Sequence, residues 1–121
     1  LGRAEQLYQG DFLAEDLYDD WVESRRRELR GQHEEVLESL GDHFTQQGLH
    51  EQALQRYRKL MATEEPQERV FHKIFRCYEA LGDRQGARKE YETFRGRLKD
   101  SLGLEPQPAT RAMIEALFLR P

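Results

Sequence analysis

The stretch LGDHFTQQGLHEQALQRYRKL, residues 40–60, reads as two short amphipathic segments hinged at Gly48. Moving 34 residues down the chain lands on IFRCYEALGDRQGARKEYETF, residues 74–94. Under that shift Leu40 becomes Ile74, Phe44 becomes Tyr78, Gly48 becomes Gly82, Ala53 becomes Ala87, Tyr57 becomes Tyr91 and Leu60 becomes Phe94. A fixed internal period of this length marks a stacked array of helix hairpins, and such arrays commonly bind other proteins.

Working outward, the hydrophobic period predicts an all-α chain. A short helix is expected over about residues 2 to 9, then an irregular or single-turn stretch around Gly10. Asp20 followed three residues later by Glu23 has the form of a capping box, which would open a helix at Trp21. From there Val22, Leu29, Val36, Leu37, Leu40 and Phe44 keep helical spacing as far as Gly48, giving a helix of about 26 residues. Ala53, Leu54, Tyr57, Leu60 and Met61 trace the next apolar stripe. Pro66 fits a first-turn position for a third helix through Val70, Phe71, Ile74, Phe75, Tyr78 and Leu81. A fourth starts at Asp83 or Arg84 and carries Ala87, Tyr91, Phe94 and Leu98; after LGLEP, a last helix carries Met113, Ile114, Leu117 and Phe118. No segment alternates with the period of a strand.

The 121 residues suit one domain with a single modest core. An opening at Leu1 rather than Met fits a segment cut from a longer polypeptide, and the lone Cys77 has no intramolecular partner. With no apolar run near the length of a membrane span, a reducing cytoplasm is the simplest setting. The net charge is −4, unevenly spread: residues 1–24 hold one basic and seven acidic side chains, and the remainder holds 18 basic and 16 acidic. A free-standing nucleic-acid binder is usually basic overall, so direct DNA recognition is disfavoured.

Small residues explain the repeat's spacing. Ala53 and Ala87 stand where paired helices must approach to roughly 8 to 10 Å, while Tyr57, Tyr91, Leu60 and Phe94 fill the space between hairpins. Leu37, Leu40, Gly41, Phe44, Gly48, Ala53 and Tyr57 resemble the tetratricopeptide pattern. The second copy departs from it, with Phe75 where the first has Gly41. The fold expected is therefore tetratricopeptide-like stacked helical hairpins, flanked by an N-terminal helix and a C-terminal capping helix.

Two flanking stretches, LYQGDFLAEDLYDDWVESRRRELR and LKDSLGLEPQPATRAMIEAL, sharpen the match. Together with the hairpins they resemble the bacterial transcriptional activator domain, the helical module of SARP-type regulators. The lead-in LYQGDFL, Trp21 with Arg25 and Leu29, and the LGLEP turn carry the likeness, which covers nearly the whole chain. It implies a module that follows a winged-helix DNA-binding domain and supports it, contacts a second protomer or RNA polymerase, and reaches DNA only through that domain. The alternative is a tetratricopeptide adaptor with no transcriptional role; a DNA-binding domain in its own right ranks third.

By the same resemblance, the first helices of successive hairpins line a groove, which places Glu35, Glu38 and Asp42 on one side and Arg69, His72 and Arg76 on the other. Such a bipolar surface suits a charged partner segment. The plainer reading is that Glu38 and Asp42 pair with His72 and Arg76 across the hairpins. The run ESRRRELR at residues 23–30 is read as a solvated helix with Glu23 and Arg27 paired, since three consecutive arginines spread over about 200° of a helix. Trp21, with Tyr8, Phe12 and Tyr18, reads either as a surface for another domain or, as favoured here, as core packing on the stripe of Leu29. His33, His43, His50 and His72 form no HExxH pairing, so no metal is expected. No phosphate loop, nucleophile motif or apolar carboxylate pair is present, so neither cofactor nor catalysis is expected.

Overall fold

The computed structural model describes residues 11–62 and 65–119, with side chains from Leu17 onward. Among these residues the chain forms five helices and no strand: α1 (Asp11–Gln46), α2 (His50–Met61), α3 (Glu68–Leu81), α4 (Arg84–Leu102) and α5 (Pro108–Leu119). The helix expected over residues 2 to 9 lies outside the described residues. By packing, the chain falls into two units, one ending at Glu35 and one beginning at Val36, and α1 has residues in both.

Helix α1 corrects the expected start. It begins at Asp11 and runs 36 residues, so Asp20 and Glu23 sit within it and cap nothing. Neither proline nor glycine stands between Asp11 and Gly31 to interrupt propagation, which adds one hydrogen bond per residue once a helix has begun. The stripe along it is also not uniformly buried. Leu37 is buried and Phe44 partly so, whereas Val36, Leu40, Leu29 and Trp21 are exposed. In the first unit the arginine run makes two exposed pairs, Arg25 with Glu28 at 2.9 Å and Arg26 with Glu23 at 3.3 Å, in place of the expected Glu23–Arg27 pair.

In the second unit the hairpin turns repeat as the sequence period demands. Gly48, Gly82 and Gly103 adopt φ of 75°, 69° and 65°, a region that costs glycine nothing. Each lets the next amide reach back to close the helix end: Leu49 N–H to Phe44 C=O at 2.8 Å, and Asp83 N–H to Tyr78 C=O at 2.9 Å. Helix α3 starts later than expected, because Gln67 is extended (φ −117°, ψ 125°) and Pro66 therefore precedes the helix instead of opening it. Asp83 caps α4 by accepting from the Gly86 amide at 2.8 Å.

The core lies between these helices. Ala53 and Ala87 are 0% and 1% exposed, as the close approach of paired helices requires. Phe71 stacks on Phe94 with ring centroids 4.8 Å apart and meets Tyr91 at 5.9 Å, joining α3 to α4. The bulky Phe75 is buried without loss of the hairpin, because the gap has moved to the other helix. In the first hairpin, Gly41 of α1 receives the Tyr57 ring of α2, and an added methyl would lie 2.8 Å from Tyr57 Cδ1. In the second, Gly86 of α4 receives the Tyr78 ring of α3, where an added methyl would lie 2.5 Å from Tyr78 Cε1. Helix α5 is pinned to α3 by Glu68, which accepts from the Gln107 amide at 2.9 Å and from Thr110, itself fully buried. Arg97 donates to the Met61 carbonyl.

Candidate partner-binding face

Helical spacing puts Glu38 and Asp42 one turn apart on α1, and Arg69, Lys73 and Arg76 along one side of α3. The two rows meet through Lys73, whose Nζ donates to Glu38 Oε2 at 2.7 Å and to Asp42 Oδ1 and Oδ2 at 2.9 and 3.1 Å. Arg69 Nη1 also bonds Glu38, while its Nη2 donates to Gln67 Oε1 at 3.0 Å. The Tyr57 hydroxyl donates to Asp42 Oδ1, and Lys73 Nζ stands 5.7 Å from the Tyr57 ring centroid. One lysine therefore holds two carboxylates, with an aromatic ring beneath it.

The electrostatics follow. Partial burial works to raise the Glu38 and Asp42 carboxyls, but hydrogen bonds outweigh it and both lie below the usual range: Lys73 and Arg69 act on Glu38, Tyr57 and Lys73 on Asp42. Burial works to lower Lys73, yet its bonds to Glu38 and Asp42 leave it raised. The Tyr57 phenol is raised by burial and by its bond to Asp42. Burial also pushes the Cys77 thiol up to about 11, which makes it a poor nucleophile at neutral pH.

The six residues picked from the sequence are thus sorted. Glu38 and Arg69 are brought together, and Asp42 joins them through Lys73. His72 goes elsewhere: its Nε2 lies 2.7 Å from Thr110 Oγ1, so it helps dock α5, and the expected pairing of Glu38 and Asp42 with His72 and Arg76 does not form. Glu35 is exposed and belongs to the other unit. Arg76 is exposed and lines a hollow of about 190 Å³ with Asp42, Thr45, His50, Tyr57 and Lys73. Lys73 was missed by carrying over fixed groove offsets. The signal was available, since Lys73 lies four residues after Arg69 and three before Arg76 on the same helical face.

A second concavity, of about 490 Å³, opens between α4 and α5 over Ile114, Phe118 and Leu119, with the Arg88 guanidinium 5.3 Å from the Phe118 ring centroid. Among the described residues no cluster of His, Cys, Asp and Glu could hold a metal ion, and no helix is long and apolar enough to cross a membrane. The geometry offers charged and apolar surfaces, and the one hydroxyl–imidazole contact described above, Thr110 with His72, is buried at the α3–α5 junction, where Thr110 is 0% exposed.

Comparison with known proteins adds one match. The family model for the bacterial transcriptional activator domain matches residues 1–118. No curated protein and no solved structure matches the chain.

Proposed function

Because the chain belongs to the bacterial transcriptional activator domain family, we propose that it is the protein-interaction and architectural module of a transcriptional activator. In this reading it supports an adjoining winged-helix DNA-binding domain and contacts a second protomer or the transcription machinery. It works in the cytoplasm, reaches DNA only through that domain, and carries out no chemistry of its own. A net charge of −4 agrees with an indirect route to DNA.

The observation that carries the reading beyond family membership is the uneven filling of the α1–α3 face. Glu38 and Asp42 are satisfied by Lys73, Arg69 and Tyr57, so the acidic row is neutralised within the fold. Arg76 remains exposed at the rim of the hollow, with half-buried His50 beside it. An acidic partner segment suits that rim. In the full-length regulator, Arg76→Glu is expected to leave the denaturation midpoint unchanged within about 0.5 kcal/mol and DNA binding intact, while activation falls sharply. Full activation by this variant would defeat the groove as a contact. Partner capture that depends on Arg76 but has no effect on transcription would favour the adaptor reading.

A further inference from the structure

The hollow at Arg76 has walls from three helices: Asp42 and Thr45 from α1, His50 and Tyr57 from α2, and Lys73, Arg76 and Cys77 from α3. At about 190 Å³ it is a space on the scale of one partner side chain. Most of its polar groups are already engaged. Lys73 donates to Asp42 at 2.9 Å, the Tyr57 hydroxyl donates to the same carboxylate, and the Thr45 hydroxyl donates to the Gly41 carbonyl at 2.9 Å. His50 and Arg76 differ: neither has a hydrogen bond or ion pair to another described residue. Two basic side chains with unfilled donors therefore share one small polar space.

The groups around His50 hold their charge across neutral pH. Partial burial works to raise Asp42, but its bonds to Tyr57 and Lys73 keep it below 3.8. Burial works to lower Lys73, but its bonds to Glu38 and Asp42 keep it above 10.5, and Glu38 itself lies below 4.5. Burial lifts the Tyr57 phenol above its ordinary 10.0 and the Cys77 thiol to about 11. Arginine stays cationic throughout, and Glu51, beside His50 on α2, is exposed. Imidazole is the side chain of this set that changes charge between about pH 5 and 8. With Asp42 and Lys73 offsetting each other, the hollow carries the positive charge of Arg76 alone when His50 is neutral, and a second one when His50 is protonated.

We propose that His50 is the second anion-holding residue of this face: with Arg76 it clasps a carboxylate of the partner's acidic segment, and its protonation tightens that grip as pH falls from about 8 to about 5.5. The inference rests on the reading of this face as a partner contact and adds to it a residue and a pH dependence. The effect is reciprocal, since a carboxylate bound beside the imidazole favours its charged form, so binding draws a proton onto His50. The other histidines stand elsewhere. His72 is engaged by Thr110 against α5, His43 is exposed beside Phe44, and His33 belongs to the first unit.

Fluorescence anisotropy with a labelled hexa-aspartate peptide tests it, because aspartate carboxylates stay ionised from about pH 5.5 to about pH 8. The affinity of the 121-residue chain should rise about five- to tenfold between about pH 8 and about pH 5.5. His50→Gln should keep the weaker affinity of the high-pH state and lose the rise. His50→Lys, cationic at both ends of the range, should bind at both about as tightly as the parent does at low pH, which also shows that the fold tolerates substitution there. Equal parent affinity at the two pH values would overturn the role of His50, as would no binding at about pH 5.5, a full rise in His50→Gln, or a His50→Lys that binds no better than His50→Gln. Arg76→Glu separates this inference from the reading beneath it. Binding lost in Arg76→Glu, with no rise in the parent that depends on His50, keeps the face as a contact and removes His50 from it; binding indifferent to Arg76→Glu at both pH values removes the face itself.

Discussion

Tyr18 and Tyr57 are tyrosines on amphipathic helices of one chain, yet Tyr18 is 64% exposed and Tyr57 is 2% exposed. Tyr57 faces Gly41, whose missing side chain leaves room for the ring, and its hydroxyl has the Asp42 carboxylate to donate to. Among the described residues of its unit, Tyr18 has Trp21 as ring neighbour, centroids 6.2 Å apart and itself exposed, and no glycine that receives its ring. Apolar spacing therefore sets helical periodicity in both regions, while burial also requires a small residue across the contact and a partner for each polar atom.

The largest effects should follow truncation inside the second unit. Phe71 and Phe94 are 1% and 2% exposed and stacked on each other. Phe71→Ala or Phe94→Ala should cost about 3 to 5 kcal/mol by chemical denaturation, through lost transfer energy and the cavity left behind. A loss below about 1 kcal/mol would mean that the core collapses around the gap and that the contrast between the two regions is overstated.

Next come the close approaches. Ala53→Leu and Ala87→Leu should each destabilise by about 1 to 3 kcal/mol through overpacking. Glycine makes the comparison sharper, because Gly31 and Gly41 lie on the same helix, one in each unit. An added methyl at Gly31 meets nothing within 4 Å, so Gly31→Ala should stabilise by about 0.5 to 1 kcal/mol through helix propensity. At Gly41 the same methyl strikes the buried Tyr57 ring, so Gly41→Ala should destabilise. Equal changes at both positions would contradict the difference in packing.

These pairs also show why the sequence was readable in one place and misleading in another. The hairpins were legible because their determinants recur at fixed offset: Gly48 with Gly82, Ala53 with Ala87, Tyr57 with Tyr91. The exchange of gap and ring in the second hairpin was hidden, because Gly86 falls opposite Gln52 in the repeat alignment and not opposite Gly41. The capping box at Asp20 failed because a cap signal acts only where something ends the preceding helix, and nothing there does. Trp21 was assigned to the core from periodicity, which gives a residue's face but not what lies across from it. Lys73 escaped because the groove offsets came from a family pattern, while its reach to two carboxylates depends on how α1 and α3 approach.

A smaller effect is expected at the α1–α3 face, and it should depend on pH. Glu38 and Asp42 sit below their ordinary values of 4.5 and 3.8, so their contribution is present above those values and fades as pH falls through the lower folded ones. Lys73 is raised above 10.5, so its contribution is complete below that value and is lost only as pH rises through the folded one. Lys73→Met should therefore reduce stability near pH 7 by about 1 kcal/mol at most, since these groups are partly solvated. It should also flatten the decline below about pH 5, as measured by denaturant midpoints across a pH series. An unchanged acid limb would assign that decline to other carboxylates.

The smallest change should come from the largest side chain. Trp21 is 61% exposed, so Trp21→Ala removes little buried area, and alanine is the better helix former. In dilute solution its midpoint should move by less than about 0.5 kcal/mol. A core tryptophan would instead cost about 3 to 5 kcal/mol. Concentration turns this near-silent substitution into a measurement. If Trp21 meets a second copy, the parent gains stability by mass action as protein concentration rises, and the variant gains less. The difference between parent and variant should then widen from the dilute to the concentrated sample. A difference that stays small at both concentrations would leave Trp21 an exposed ring with no bearing on self-association. A large difference in the dilute sample would place it in an intramolecular contact and remove the distinction between Tyr18 and Tyr57 on which the comparison rests.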